Sequence, residues 1–216
     1  MKKYKIGYVD EDPKQVIKYE RDLRDYFDVI GYDIKQGTEL SELLDQIYKS
    51  DIDLLLVDFL MVDKGIVTFN GDEVVRQYED IMPGFPKIIF TNEESQAFPQ
   101  VDDPNIIYDK SLAKSNKAHL AEILRKNIEV YKNYINKRSS IIAELLLKGE
   151  EGDGLSAGEK HVLLQSQIEL INLDKRSNEV PFQLLDNKKL DSISKTTKEA
   201  EDFLESIIKK MNDETI

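Results

Sequence analysis

Residues 53–58, Asp-Leu-Leu-Leu-Val-Asp, constrain the fold of this chain more than any other stretch. Four consecutive apolar residues between two carboxylates predict a strand buried on both faces, the kind found inside a parallel sheet. Parallel neighbours need long crossovers, usually helical, and the flanking sequence supplies them. Residues 4–10 (YKIGYVD) read as a first strand. Asp12-Pro13 then opens a helix whose apolar positions Val16, Ile17, Tyr19, Leu23, Tyr26 and Phe27 recur at helical spacing. Residues 29–34 form a second strand, and Thr38 is expected to cap a helix over 39–48 with Leu40, Leu43, Leu44 and Ile47 on one face. A long loop, 59–70, follows the third strand. A third helix starts at 71–78, with Val74, Val75 and Tyr78 inward. The fourth strand is 87–91 (KIIFT), and one helical turn at 93–97 is held short by Pro99 and Pro104 before a fifth strand at 105–108 (NIIY). This alternation predicts an α/β fold: a doubly wound five-stranded parallel sheet of order 2-1-3-4-5 with right-handed crossovers.

Beyond Lys110 the pattern changes to an all-α C-terminal region. Residues 115–148 contain no Gly or Pro, which predicts a long helix. Leu124, Ile128, Tyr131, Ile135, Ile142 and Leu145 follow alternating steps of four and three along it, with Arg138 as the one polar member, and form a heptad stripe. The stripe suits an intramolecular helical bundle first, with homodimerisation open to the same seam. The Gly-rich stretch 149–154 should break the helix, and Ser156-Ala-Gly-Glu159 fits a capping box before a helix over 160–173. A polar turn region, 174–181, precedes a short apolar segment with Phe182, Leu184 and Leu185. A last helix is expected over 194–211, with Ala200, Phe203, Leu204, Ile207, Ile208 and Met211 on one stripe. We therefore expect two domains, 1–126 and 127–216.

Composition narrows the function. A net charge of −12 argues against general binding to nucleic acid or to an anionic membrane. The absence of cysteine removes disulfides, thiolate nucleophiles and thiolate-bound metals, and two histidines leave little room for a histidine-built metal site. No apolar run approaches membrane-spanning length. The basic start of the chain meets acids too early for a signal peptide, so a cytoplasmic location is expected.

The carboxyl ends of the predicted strands carry the chemistry. Strand one ends in Asp10-Glu11, strand three in Asp58, strand four in Thr91 and strand five in Lys110. With strands one and three adjacent, their ends meet at the switch point where such sheets place their sites. Three converging carboxylates repel unless a cation is bound or one is protonated. An all-oxygen set suits a hard cation, and Mg²⁺ is the abundant one. A hydroxyl and an ammonium opposite would complete a phosphoryl site with a carboxylate as nucleophile.

Through these residues, with Met61 three positions after Asp58, residues 1 to about 130 resemble the receiver domain of two-component response regulators, with its flavodoxin-like strand order. The resemblance implies that Asp58 is the phosphoacceptor, charged by a phosphohistidine on a sensor histidine kinase or phosphotransfer protein. It implies Mg²⁺ on Glu11, Asp58 and the backbone carbonyl of Leu60, with Asp10 acting through water. Thr91 and Lys110 would follow the phosphoryl charge. It also implies a signalling module rather than an enzyme. An aspartyl-phosphate-type phosphatase would need an acid where Leu60 stands.

The chain departs from the family's pattern after Asp58, where about five residues (DKGIV or a neighbouring stretch) are inserted, so that the matching Gly becomes Gly71. It also has Asn92 after Thr91, Ile107 at the aromatic switch position and Ser111 after Lys110. From residue 131 on, thirteen Lys and Arg face sixteen Asp and Glu, and no helix there carries a groove-reading pattern. The helical tail is therefore expected to convey the state of Asp58 to a protein effector. The competing reading is a pseudo-receiver that binds its partner regardless of phosphorylation.

Overall fold

A computed structural model describes residues 3–32, 34–150 and 154–177. Five parallel strands form one sheet: β1 (Lys5–Val9), β2 (Asp28–Gly31), β3 (Leu54–Val57), β4 (Lys87–Thr91) and β5 (Ile107–Asp109), in the order β2-β1-β3-β4-β5. This is the predicted topology. Leu54, Leu55, Leu56 and Val57 are all fully buried, because the sheet is covered on both faces. Leu55 and Val57 point to the face packed by α2 (Leu40–Lys49) and α3 (Gly71–Ile81). Leu54 and Leu56 point to the face packed by α1 (Pro13–Leu23) and by the start of the long α6 (Lys117–Glu150). Burial of each of these side chains is worth roughly 2 kcal/mol, so β3 anchors both cores at once.

Several boundaries differ from expectation for identifiable reasons. Thr38 does not cap α2: its Oγ1 accepts from the Lys35 N–H at 3.0 Å, closing its own turn, and Glu39 takes the N-cap position. Asp12 caps α1, its carboxylate accepting from the Lys14 N–H at 2.9 Å with Pro13 in the first turn. Strand five begins later, because Asp103 and Pro104 organise residues Pro104–Ile106 into a 3₁₀ turn. The turn α4 (Glu94–Ala97) has only four residues. The long helix does not start at 115: a separate turn, α5 (Leu112–Ser115), ends at Asn116, whose Oδ1 accepts from the His119 N–H at 3.0 Å and starts α6 afresh. At its other end α6 runs through Gly149 to Glu150.

The described residues divide into two compact units, one within Met1–Ser140 with Asn172–Arg176, the other within Ile141–Ile171. In the first unit, Leu124 and Ile128 of the heptad stripe are fully buried in the sheet core, and the ring of Tyr131 meets Phe85 edge-on at 5.6 Å. Ile135, Ile142 and Leu145 are half-buried. Asn172–Arg176 docks on α2 and α3: Tyr48 donates to Asp174 at 2.9 Å, Lys175 N–H to the Ile81 carbonyl at 2.8 Å, and Arg176 pairs with Asp45 at 2.5 Å. In the second unit, α7 (Ala157–Ile171) opens with the anticipated capping box, Glu159 accepting from the Ser156 N–H at 2.9 Å. The apolar segment around Phe182 and the helix expected over 194–211 lie outside the described residues. No helix among the described residues is long and apolar enough to cross a membrane.

Candidate functional site

Strand register brings the candidate residues together. Val9 pairs with Val57 across β1 and β3, so the next residues, Asp10 and Asp58, leave the sheet side by side. The Asp58 N–H closes the ladder by donating to the Val9 carbonyl at 2.8 Å. Across β4 and β5, Thr91 pairs with Asp109, and the Lys110 N–H donates to the Thr91 carbonyl at 2.8 Å. Residues separated by a hundred positions in the chain thus converge on one edge. The Lys110 ammonium lies 2.9 Å from Asp58 Oδ2 and 3.1 Å from Asp10 Oδ2.

Asp10, Glu11, Thr91 and Lys110 are all buried, and the Asp58 side chain retains 14% of its exposure. Asp10 is held from three sides. The Tyr8 hydroxyl donates to Oδ2 at 2.6 Å, the Asp12 N–H donates to Oδ1 at 2.9 Å, and Lys110 supplies the third contact. Burial beside this carboxylate pushes the Tyr8 phenol far above its ordinary range, so it stays a donor. Burial also raises Asp58 to about 6. Lys110 opposes that shift, and the charges of Asp10 and Glu11 add to it. The Thr91 hydroxyl accepts from the Glu93 N–H at 3.0 Å, leaving its own proton free to donate. Leu60, whose carbonyl the receiver resemblance adds as a ligand, lies two residues past Asp58 and is half-buried.

The donor set fits a hard divalent cation. One oxygen from each of Asp10, Glu11 and Asp58 lies within 4.8 Å of the other two. Glu11 Oε2 is a buried acceptor without a hydrogen-bond partner among the described residues, and a cation bound between these carboxylates would satisfy it.

Three residues important to this geometry carried no readable signal in the sequence. Tyr8 alternates along β1 like any core residue. Asn70 accepts from the Met61 and Val62 N–H groups at 3.0 and 3.2 Å, tying down the inserted loop. Lys64, at the end of a 3₁₀ turn (Val62–Lys64), places its ammonium 3.0 Å from Glu11 Oε1 and 3.1 Å from Asp12 Oδ2.

No family model matches the sequence, and no curated protein matches it. Solved structures do. A response regulator receiver protein from Sinorhizobium medicae is 17% identical, with a TM-score of 0.46, covering 59% of this chain and 95% of its own. A receiver domain from Clostridium thermocellum is 18% identical, with a TM-score of 0.43, covering 60% and 97%. A structure described as an adenylate cyclase from Rhodopirellula baltica is 21% identical, with a TM-score of 0.47, covering 61% and 93%. Most of the similar structures are response regulator receiver domains, and they span about 60% of the chain.

Proposed function

We propose that this protein is a response-regulator-like signalling protein in which Asp58 accepts a phosphoryl group from a phosphohistidine on a sensor histidine kinase or phosphotransfer protein. The observation that carries this reading is the Lys110 ammonium lying between Asp58 and Asp10, with a buried Glu11 oxygen beside them that has no partner among the described residues. An Asp58 oxygen attacks phosphorus, a P–O bond forms as the P–N bond breaks, and the imidazole leaves with a proton. The product is an acyl phosphate on Asp58. Asp10, Glu11, Asp58 and the Leu60 carbonyl would hold Mg²⁺, which when bound supplies positive charge to the transferring phosphoryl oxygens. Lys110 neutralises a second oxygen after transfer, and the Thr91 hydroxyl donates to a third. Tyr8 and the Asp12 N–H keep Asp10 oriented.

Such a site is a switch rather than an enzyme: one acceptor, loaded and later hydrolysed. Its output on this reading goes to a protein effector, or to a second copy of the chain, through the C-terminal helices. Leu147 and Val162, large apolar side chains that are 62% and 46% exposed, support that route. Neither nucleic acid nor membrane is a partner on this reading, and the protein works in the cytoplasm.

The test is intact mass after incubation with Mg²⁺ and acetyl phosphate. We expect a gain of one phosphoryl group in the wild type, none in Asp58→Asn and none with chelator. Gain of the group by Asp58→Asn would assign the acceptor elsewhere. One observation favours the second reading, a phosphorylation-independent scaffold: the Glu11 carboxylate already has a partner in Lys64. On that reading, partner capture by the wild type and by Asp58→Asn is equal with and without phosphodonor.

A further inference from the structure

The inserted loop is a built element, not slack chain. Its 3₁₀ turn is fastened by Asn70, as described, and closed by Gly65 in the left-handed region at φ 65°. Val67 and Phe69, just beyond, are buried in the core cluster under α2 and α3. The Ile66 carbonyl accepts from the Gly37 N–H at 3.0 Å. Anchored on both sides, the turn presents one cation to the acidic edge. Lys64 reaches Glu11 Oε1 and Asp12 Oδ2 while its own side chain stays 46% exposed. Asp12 lies outside the candidate metal set, so Lys64 bridges a ligand and a non-ligand.

We propose that Lys64 is a tethered cation that competes with the divalent ion for the Glu11 carboxylate. The inference rests on the metal-assisted acceptor reading above. An ammonium at 3.0 Å neutralises part of the charge that attracts the ion and occupies one Glu11 oxygen. Binding of the ion through the other oxygen, Oε2, draws on the same carboxylate charge and so weakens the Lys64 contact at Oε1, shifting the ammonium toward Asp12. The inserted loop thereby acquires a link to the loading state of the site: it is pinned over Glu11 without the ion and held there less tightly with it. Lys110 cannot play this part, because its ammonium is buried between Asp10 and Asp58 and does not pair with Glu11.

The experiment is titration of the metal-free full chain with Mg²⁺, by calorimetry, and with Mn²⁺ as a paramagnetic probe of the same oxygen site. The proteins compared are wild type, Lys64→Gln, Lys64→Arg and Lys14→Gln. Lys14 is exposed and its ammonium makes no described ion pair with Glu11, so its replacement controls for the loss of one positive charge nearby. Lys64→Gln is expected to bind both ions about fivefold more tightly than the wild type, the factor a partly exposed ion pair supports. Lys64→Arg should stay near the wild type, and Lys14→Gln should change by less than about twofold, as a screened, more distant charge does. Equal affinity in the wild type and Lys64→Gln, with binding intact in both, would overturn the competition while leaving the acceptor reading in place. An equal gain in Lys14→Gln would also overturn it, by reducing the effect to general charge. Absence of binding in all four proteins would overturn the acceptor reading and this inference together.

Discussion

Gly71→Ala is expected to destabilise the sheet domain by about 3 kcal/mol or more, near the upper end of single-substitution effects. Gly71 is the first residue of α3 and lies directly under the chain that leaves β3. A Cβ there would sit 2.2 Å from the Asp58 carbonyl oxygen and 3.0 Å from Val57 Cγ1. Neither group can yield. The carbonyl belongs to the residue that ends the central strand, and Val57 is fully buried between α2 and α3. The Gly71 N–H also donates to the Phe59 carbonyl at 2.9 Å, so the helix start cannot slide away without losing a bond. Gly158 is the contrast. It too is helical, but a Cβ there would meet nothing within 4 Å, so Gly158→Ala should leave stability unchanged or raise it by up to about 1 kcal/mol. Urea unfolding of the two variants side by side decides the matter. A loss of less than about 1 kcal/mol in Gly71→Ala would mean that α3 does not approach the acceptor strand this closely. The site should suffer with the fold, because the atom displaced belongs to Asp58 itself.

That contact also shows what could be read from the sequence. Gly71 was identifiable as a required glycine only by alignment of the inserted loop with a family pattern; its physical reason, a backbone approach across thirteen residues, appears only in three dimensions. The sheet was legible because β3 is apolar on every position, and the site because β1, β3, β4 and β5 end in the groups that matter. Once strand order is known, register does the rest: Val9 opposite Val57 places Asp10 beside Asp58, and Thr91 opposite Asp109 places Lys110. Boundaries set by single hydrogen bonds were not legible. Asn116 splits what reads as one uninterrupted helix, and Thr38 turns its hydroxyl to Lys35 rather than to α2. Lys64 was invisible for a further reason: loop residues have no periodicity, so nothing in the sequence says which way an inserted lysine points. The chemistry of a site like this one comes from strand ends and can be foreseen, whereas its modulation comes from loops and must be seen.

Lys110→Met is expected to cost about 3 kcal/mol of stability at pH 8 without metal, and less at pH 5. The ammonium it removes serves two carboxylates, Asp58 at 2.9 Å and Asp10 at 3.1 Å, and only 7% of the Lys110 side chain is exposed. Removing one partner of a buried pair leaves charge uncompensated, which typically costs about 3–5 kcal/mol. The direction of the pH effect follows from Asp58. Its carboxyl is raised to about 6 in the folded protein, above its ordinary 3.8, so the folded state holds this proton more tightly than the unfolded chain. A raised group of this kind stabilises fully below its unfolded value, and that contribution is lost as pH rises through the folded one. Without Lys110 the folded value moves higher still. The deficit of the variant should then shrink to the share owed to the Asp10 pair where Asp58 is protonated, and should grow as the pH climbs past about 6. Two additions should restore it at pH 8. Asp58→Asn in the same chain removes the repelling charge, and Mg²⁺ replaces the missing cation and should raise stability more in Lys110→Met than in the wild type. Urea unfolding at the two pH values, with and without Mg²⁺, measures each of these differences. A deficit equal at both pH values and untouched by Asp58→Asn would show that Lys110 contributes through the packing of its aliphatic stem and not through its charge.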